Sequence, residues 1–158
     1  AGARLTILSG RKDFKLTIAR SVGVDHVVNI TQENLVNVVS QQTEGRGADM
    51  VIEASGAIAA LQESVQICRA GGKVVIVGIY ERPLEQFDMS QVVLKDITLH
   101  GILSSPRSFR GALALMASGR IRCAPLITHR FKLTEVQQAF QVMIEQNENR
   151  IKIMLEVE

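Results

Sequence analysis

Apolar residues along the chain come in short runs whose period switches between that of a strand and that of a helix. The run at 4–8 (RLTIL) is apolar and β-branched and predicts a strand. Over 13–23, Phe14, Leu16, Thr17, Ile18 and Val22 fall near helical spacing, and Gly23 suits the C′ position of a helix. HVVNI at 26–30 predicts a second strand. Leu35, Val38 and Val39 share one face over 33–43, behind Thr31 as candidate N-cap, and Gly45 and Gly47 break that helix. A strand is expected at 48–55. A helix at 57–70 then stacks Ile58, Leu61, Val65 and Cys68 and stops at Gly71-Gly72. KVVIVGI at 73–79 is the most continuous apolar run, as in a parallel strand buried on both faces. A polar connection with Pro83 follows, and 91–96 has no decided type. A strand at 97–103 and a helix at 108–120, closed by Gly119, come next. The helix at 133–147 opens on a capping box of Thr134 and Gln137 and carries Phe140, Met143 and Ile144 on its apolar face. The alternation at 151–157 predicts a half-exposed strand.

Strand and helix alternate throughout, which predicts an α/β fold with a doubly wound parallel sheet of right-handed βαβ units. Flavodoxin-like and receiver-type sheets share that alternation. Ligands of such sheets bind beyond the carboxyl ends of the strands. The informative positions are therefore Ser9-Gly10-Arg11-Lys12, Glu53-Ala54-Ser55-Gly56, Val77-Gly78-Ile79 and Gly101-Ile102-Leu103. Their glycines either let a ligand approach the backbone or only make tight turns. Arg11 and Lys12 stand where an acid would accept the ribose hydroxyls of NAD. An arginine fork there would bind the extra phosphate of NADP; the alternative is a pair of ordinary surface cations. Asp13 is expected to cap the following helix. No GxGxxG loop is present, and Gly45–Gly47 precedes a strand instead of following one.

Glu53 is either a functional carboxylate or one with a helix-capping or backbone-bonding role. His26 opens a strand, His100 sits within one and His129 is expected in a loop, so each reads as a packed or surface residue. No serine sits in a GxSxG elbow and no Cys/His group has zinc spacing. Neither a catalytic residue nor a metal ligand is expected in the chain.

Composition narrows the class. The 158 residues are 46% hydrophobic and 22% charged, which is globular and long enough for a core. A net charge of +2 does not point to nucleic acid, and no apolar run is long enough for a membrane span. Cys68 and Cys123 read as buried small hydrophobes in a reducing compartment, and a cytoplasmic location is expected. Ala1-Gly2-Ala3-Arg4 runs into a strand with neither methionine nor cap, which suggests a chain cut from something longer.

LTIARSVGVDHVVNI, GRGADMVIEASG, AGGKVVIVGI, VVLKDITLHGIL and PLITHRFKLTEVQQAF together, in this order and spacing, resemble the second half of medium-chain zinc-dependent dehydrogenases. The likeness is greatest to the sorbitol, threonine and related polyol dehydrogenases and covers essentially the whole chain. It implies a Rossmann-type dinucleotide-binding domain over 1–158 that lacks its first strand and glycine-rich loop, with 148–158 returning toward an absent catalytic domain. The lost central strand would leave two unpaired strand edges, unless the upstream chain is present in another form or the chain pairs with a copy of itself.

The resemblance also assigns roles. Ser9, Gly10 and Arg11, with Lys12 beside them, match the adenosine-ribose turn, where many NAD-using members carry an acid at the position of Ser9; NADP is therefore favoured, with NAD the alternative. Ala54, Ser55 and Gly56 match the turn near the adenosine side. Val77, Gly78 and Ile79 match the strand end whose backbone contacts the nicotinamide end. Gly101, Ile102 and Leu103 match the segment that holds the carboxamide. Lys152 matches a cation approaching the pyrophosphate, or is simply an exposed strand cation.

The implied function is the cofactor-binding portion of an oxidoreductase that moves hydride between NAD(P) and an alcohol or polyol. Zinc and the proton relay belong to the half not in this chain, so this chain alone would be inactive. The alternatives are a non-catalytic fragment that self-associates, with ITLHGIL pairing across a dimer into a homo-oligomer, and a zinc-free quinone reductase relative.

Overall fold

The structure is a computed structural model that describes residues 2–103, 108–145 and 149–157. In chain order the elements are β1 (Ile7–Gly10), α1 (Asp13–Ser21), β2 (His26–Asn29), α2 (Leu35–Gln42), β3 (Ala48–Glu53), α3 (Ile58–Ile67) and β4 (Cys68–Ile76). They continue with α4 (Met89–Leu94), β5 (Thr98–Gly101), α5 (Phe109–Ala117), β6 (Ile127–Lys132), α6 (Val136–Ile144) and β7 (Lys152–Glu156). Short 3-10 turns at Ala124–Leu126 and Leu133–Glu135 flank β6. None of the described helices is long and apolar enough to cross a membrane.

Every strand pair is parallel, as the alternation predicts, but the ladder is divided. It forms β1-β2, β3-β4-β5 and β6-β7 instead of one continuous sheet. The chain forms two compact units, 1–31 with 108–158 and 32–107. Among the described strands β1 pairs only with β2, and β3 only with β4.

In the second unit, helical spacing puts Leu61 and Val65 of α3 on one face. They meet Cys68 and Val74 of β4, with Val92 and Ile97 closing the cluster. Lys95 ties α4 to this core by donating Nζ to the carbonyls of Val65 and Gln66, both at 2.9 Å, where the end of α3 needs donors. β3 shows the other extreme. Val51 and Glu53 turn inward, whereas Met50 and Ile52, one step out of phase, are 55% and 64% exposed. In the first unit, Leu16 and Ala19 of α1 are buried, as is Val28 of β2. The starts of β1 and β2 are joined through Asp25, which accepts from Thr6 N at 2.8 Å and Thr6 Oγ1 at 2.7 Å.

Several expected boundaries move. β1 begins at Ile7 and contains Ser9 and Gly10, because Val28 and Asn29 offer them partners. α2 is capped by Asn34, whose side chain accepts from Asn37 N, while Thr31 donates to Asn29 instead. β4 begins at Cys68, through the stretch expected to end the preceding helix, and Ala48 pairs with Cys68 across a bulge that absorbs Gly71-Gly72. The undecided segment 91–96 falls mostly in α4. His129 lies in β6, not in a loop, because β7 supplies a ladder partner. The Thr134–Gln137 box does not start α6; Lys132 N donates to the Glu135 carboxylate at 2.8 Å. Cys68 is buried as expected, but Cys123 is only half-buried.

Core and edge should respond differently. Leu61 is 2% exposed, so Leu61→Ala should cost about 2–5 kcal/mol in urea unfolding. Ile52→Thr, on the exposed face of β3, should change stability by no more than about 0.5 kcal/mol.

Candidate functional site

The parallel register sets three strand ends side by side. Glu53 of β3 pairs with Ile76 of β4, and Ile76 pairs with Gly101 of β5. Ala54-Ser55-Gly56, Val77-Gly78-Ile79 and Ile102-Leu103 therefore leave the sheet from one row, with Gly101 its last residue on β5. The second unit thus brings together all the candidates that the sequence places within it. Main-chain bonds continue past the row: Val77 N and Gly78 N donate to Glu53 O at 2.8 and 3.2 Å, and Ile102 N donates to Ile76 O at 3.0 Å.

Glu53 is 3% exposed, and its carboxylate organises the row. Oε1 accepts from Ser55 N at 2.7 Å, Ser55 Oγ at 2.6 Å and Gly56 N at 3.1 Å. Oε2 accepts from the Tyr80 hydroxyl at 2.6 Å. Burial pushes the Glu53 carboxyl up. The hydroxyls of Ser55 and Tyr80 and the amides of Ser55 and Gly56 outweigh it, so the net displacement is below the ordinary value. The same contact, after burial, raises the Tyr80 phenol.

Two glycines allow the close fit. Gly56 has φ +71°, and a Cβ there would lie 2.5 Å from Ile79 O. A Cβ on Gly78 would lie 2.5 Å from Glu53 Oε2.

In the first unit, Ser9 and Gly10 end β1 while Arg11 and Lys12 form the turn into α1, all but Gly10 exposed. Lys12, not Asp13, is the N-cap residue. Asp13 is the first helical residue and accepts from Asn29 Nδ2 at 2.6 Å, which places an acid favourably near the helix N-terminus. Lys152 opens β7, in a different sheet from the Ser9–Lys12 strand. Among the described residues, no group of three or more His, Cys, Asp and Glu side chains could hold a metal ion.

Tyr80 and Asn29 were not legible as site residues. Tyr80 is the only tyrosine in the chain and lies past a strand end, a weak signal. Asn29 offers only a polar residue at the end of an apolar run.

Residues 1–118 match the family model described as "Zinc-binding dehydrogenase". The chain belongs to that family. This zinc-binding dehydrogenase chain is 34% identical over 157 residues to D-arabitol-phosphate dehydrogenase of Enterococcus avium, covering 98% of the chain and 44% of that protein. It is 32% identical to L-threonine 3-dehydrogenase of Bacillus subtilis, covering 90% of the chain and 42% of that protein. An alcohol dehydrogenase from Thermus sp. ATN1 superposes with a TM-score of 0.90 at 30% identity, covering 99% of the chain and 45% of that structure. A zinc-binding dehydrogenase from Sinorhizobium meliloti, solved bound to NADP, superposes at 0.86 with 26% identity, covering 98% and 46%. The chain thus spans less than half the length of these relatives, and the divided parallel sheets are the part that corresponds.

The lowered Glu53 pKa makes a pH prediction for this dehydrogenase chain. A folded pKa below the unfolded one gives stability that is fully present above the unfolded value, near 4.5, and lost as pH falls through the folded value. Urea midpoints taken from about pH 6 to about pH 3 should therefore fall more steeply in the parent than in Glu53→Gln, which has no carboxyl to protonate.

Proposed function

We propose that this chain is the dinucleotide-binding portion of a zinc-dependent oxidoreductase that exchanges hydride between a nicotinamide cofactor and an alcohol or polyol, with NADP preferred over NAD. The observation that carries the cofactor preference is the end of β1. Ser9, Gly10, Arg11 and Lys12 stand there with no acid among them. An acid at that turn would accept ribose hydroxyls and repel a 2′-phosphate, whereas a guanidinium can bind one in bidentate fashion. Family membership and Gly101 support the reading, because a Cβ at Gly101 would meet nothing within 4 Å and a ligand can approach backbone that carries none.

When bound, the nicotinamide supplies the hydride chemistry. The role read for this chain is to hold and orient it. Ser9–Lys12 would hold the adenosine ribose and its phosphate, and Ala54–Gly56 would pass beside the adenosine side. Val77–Ile79 and Gly101–Leu103 would offer main-chain groups to the nicotinamide end, and Lys152 would face the pyrophosphate. The described residues present no ligand set for zinc. In this reading, 148–158 leads toward the catalytic portion and the working protein is cytoplasmic.

The test is a pair of titrations, NADPH and NADH, against the chain and against Arg11→Asp. Losing a charge-assisted bond should weaken NADPH binding by about tenfold or more and leave NADH within about threefold. Equal losses for both cofactors would sink the NADP preference, and no binding of either by the parent would sink the assignment of a binding function to this chain.

A homo-oligomer is a second reading, favoured by the outer edge of β5, which has only β4 as partner among the described strands. Light scattering should then return a dimer mass; a monomer at every concentration would overturn it.

A further inference from the structure

We propose that Glu53 is a positioning residue of the dinucleotide site, fixing the Ser55–Gly56 turn and the Gly78–Tyr80 segment as one rigid unit without touching the cofactor. The inference rests on reading the second unit as dinucleotide-binding. The carboxylate bridges two segments, with a longer bond of 3.4 Å from Gly56 N to Oε2 beside the shorter ones. Oε1 collects both amides and the hydroxyl of the Ser55–Gly56 turn, and Oε2 takes the Tyr80 hydroxyl. Tyr80 packs against the core cluster to which Leu61, Val65, Cys68, Val74, Val92 and Ile97 belong, so it is held by the core as well as by its hydroxyl. The Ser55 hydroxyl passes the order onward by accepting from Ala57 N at 3.2 Å, at the N-cap of α3.

The geometry separates positioning from direct contact. At 3% exposure Glu53 presents almost no surface to a ligand, and its lone pairs are directed at protein donors. The amides of Ser55 and Gly56 are turned inward to the same carboxylate, so this turn offers a ligand its shape and not its donors. What the site needs at residue 53 is therefore a pair of hydrogen-bonding atoms at fixed places. A negative charge is not needed. Glutamine can supply them, with Oε1 accepting from Ser55 and Gly56 and Nε2 donating to the Tyr80 oxygen. Alanine leaves every donor of the cluster without its partner.

The experiment measures amide hydrogen exchange at Ser55 and Gly56, and NADPH affinity, in the parent chain, Glu53→Ala, Glu53→Gln and Tyr80→Phe. Glu53→Ala should exchange about tenfold faster at both amides and bind NADPH about tenfold more weakly. Glu53→Gln should stay within about threefold of the parent in both readouts, and Tyr80→Phe should fall between. Parent-like affinity in Glu53→Ala overturns the positioning role. So does Glu53→Gln as weak as Glu53→Ala, since that would make the charge the active element. Should Glu53→Ala not fold, parent-like affinity in Tyr80→Phe overturns the proposal on its own. A parent chain that binds no NADPH overturns the dinucleotide reading itself, and the role of Glu53 with it. That failure differs visibly from a parent that binds and a Glu53→Ala chain that binds equally well.

Discussion

A carboxylate buried at the end of a strand imposes a condition on everything around it: enough donors must reach it, or the charge cannot stay. Glu53 meets that condition with the chain's own turn. The side-chain hydroxyl and amide of Ser55, the amide of Gly56 and the hydroxyl of Tyr80 all converge on it. The turn after β3 can take this path because Gly56 adopts a positive φ, and the segment after β4 can come close because Gly78 has no Cβ. Remove the carboxylate and the reason for both paths disappears.

The parallel sheet and the helices that cross it were readable from periodicity, because each helix carries an apolar stripe and each strand an apolar run. Leu61 and Val65, at i and i+4, are buried as their spacing implies. What failed was local. Ser9 and Gly10 look like a turn, yet pair with Val28 and Asn29, since ladder partners outweigh the low strand propensity of glycine. β6 was missed because its partner β7 is distant in sequence, and no single-strand pattern reports a distant partner. The candidate rows at 54–56, 77–79 and 101–103 were placed correctly at strand ends. The tyrosine that links the segment after β4 to Glu53 is not legible, since nothing in a sequence tells which hydroxyl will reach a carboxylate 27 residues away.

The division of the sheet carries its own meaning. Parallel strands are normally covered on both faces and paired on both sides when central. β3 is an edge strand among the described strands, with β4 as its one ladder partner, and Met50 and Ile52 are largely exposed. The core lies on the opposite side, against α3, so the strand is held by one face and one edge. Among the described strands the other side of β3 is an unpaired edge, where backbone groups remain open to pairing.

Tyr80 gives the molecule an optical property as well. The chain has a single tyrosine and no tryptophan, so its longer-wavelength ultraviolet absorption and emission belong to one phenol. That phenol is hydrogen-bonded to a buried carboxylate. The protein therefore carries a native chromophore at the junction of two strand ends, and its spectrum reads the state of that junction without any label.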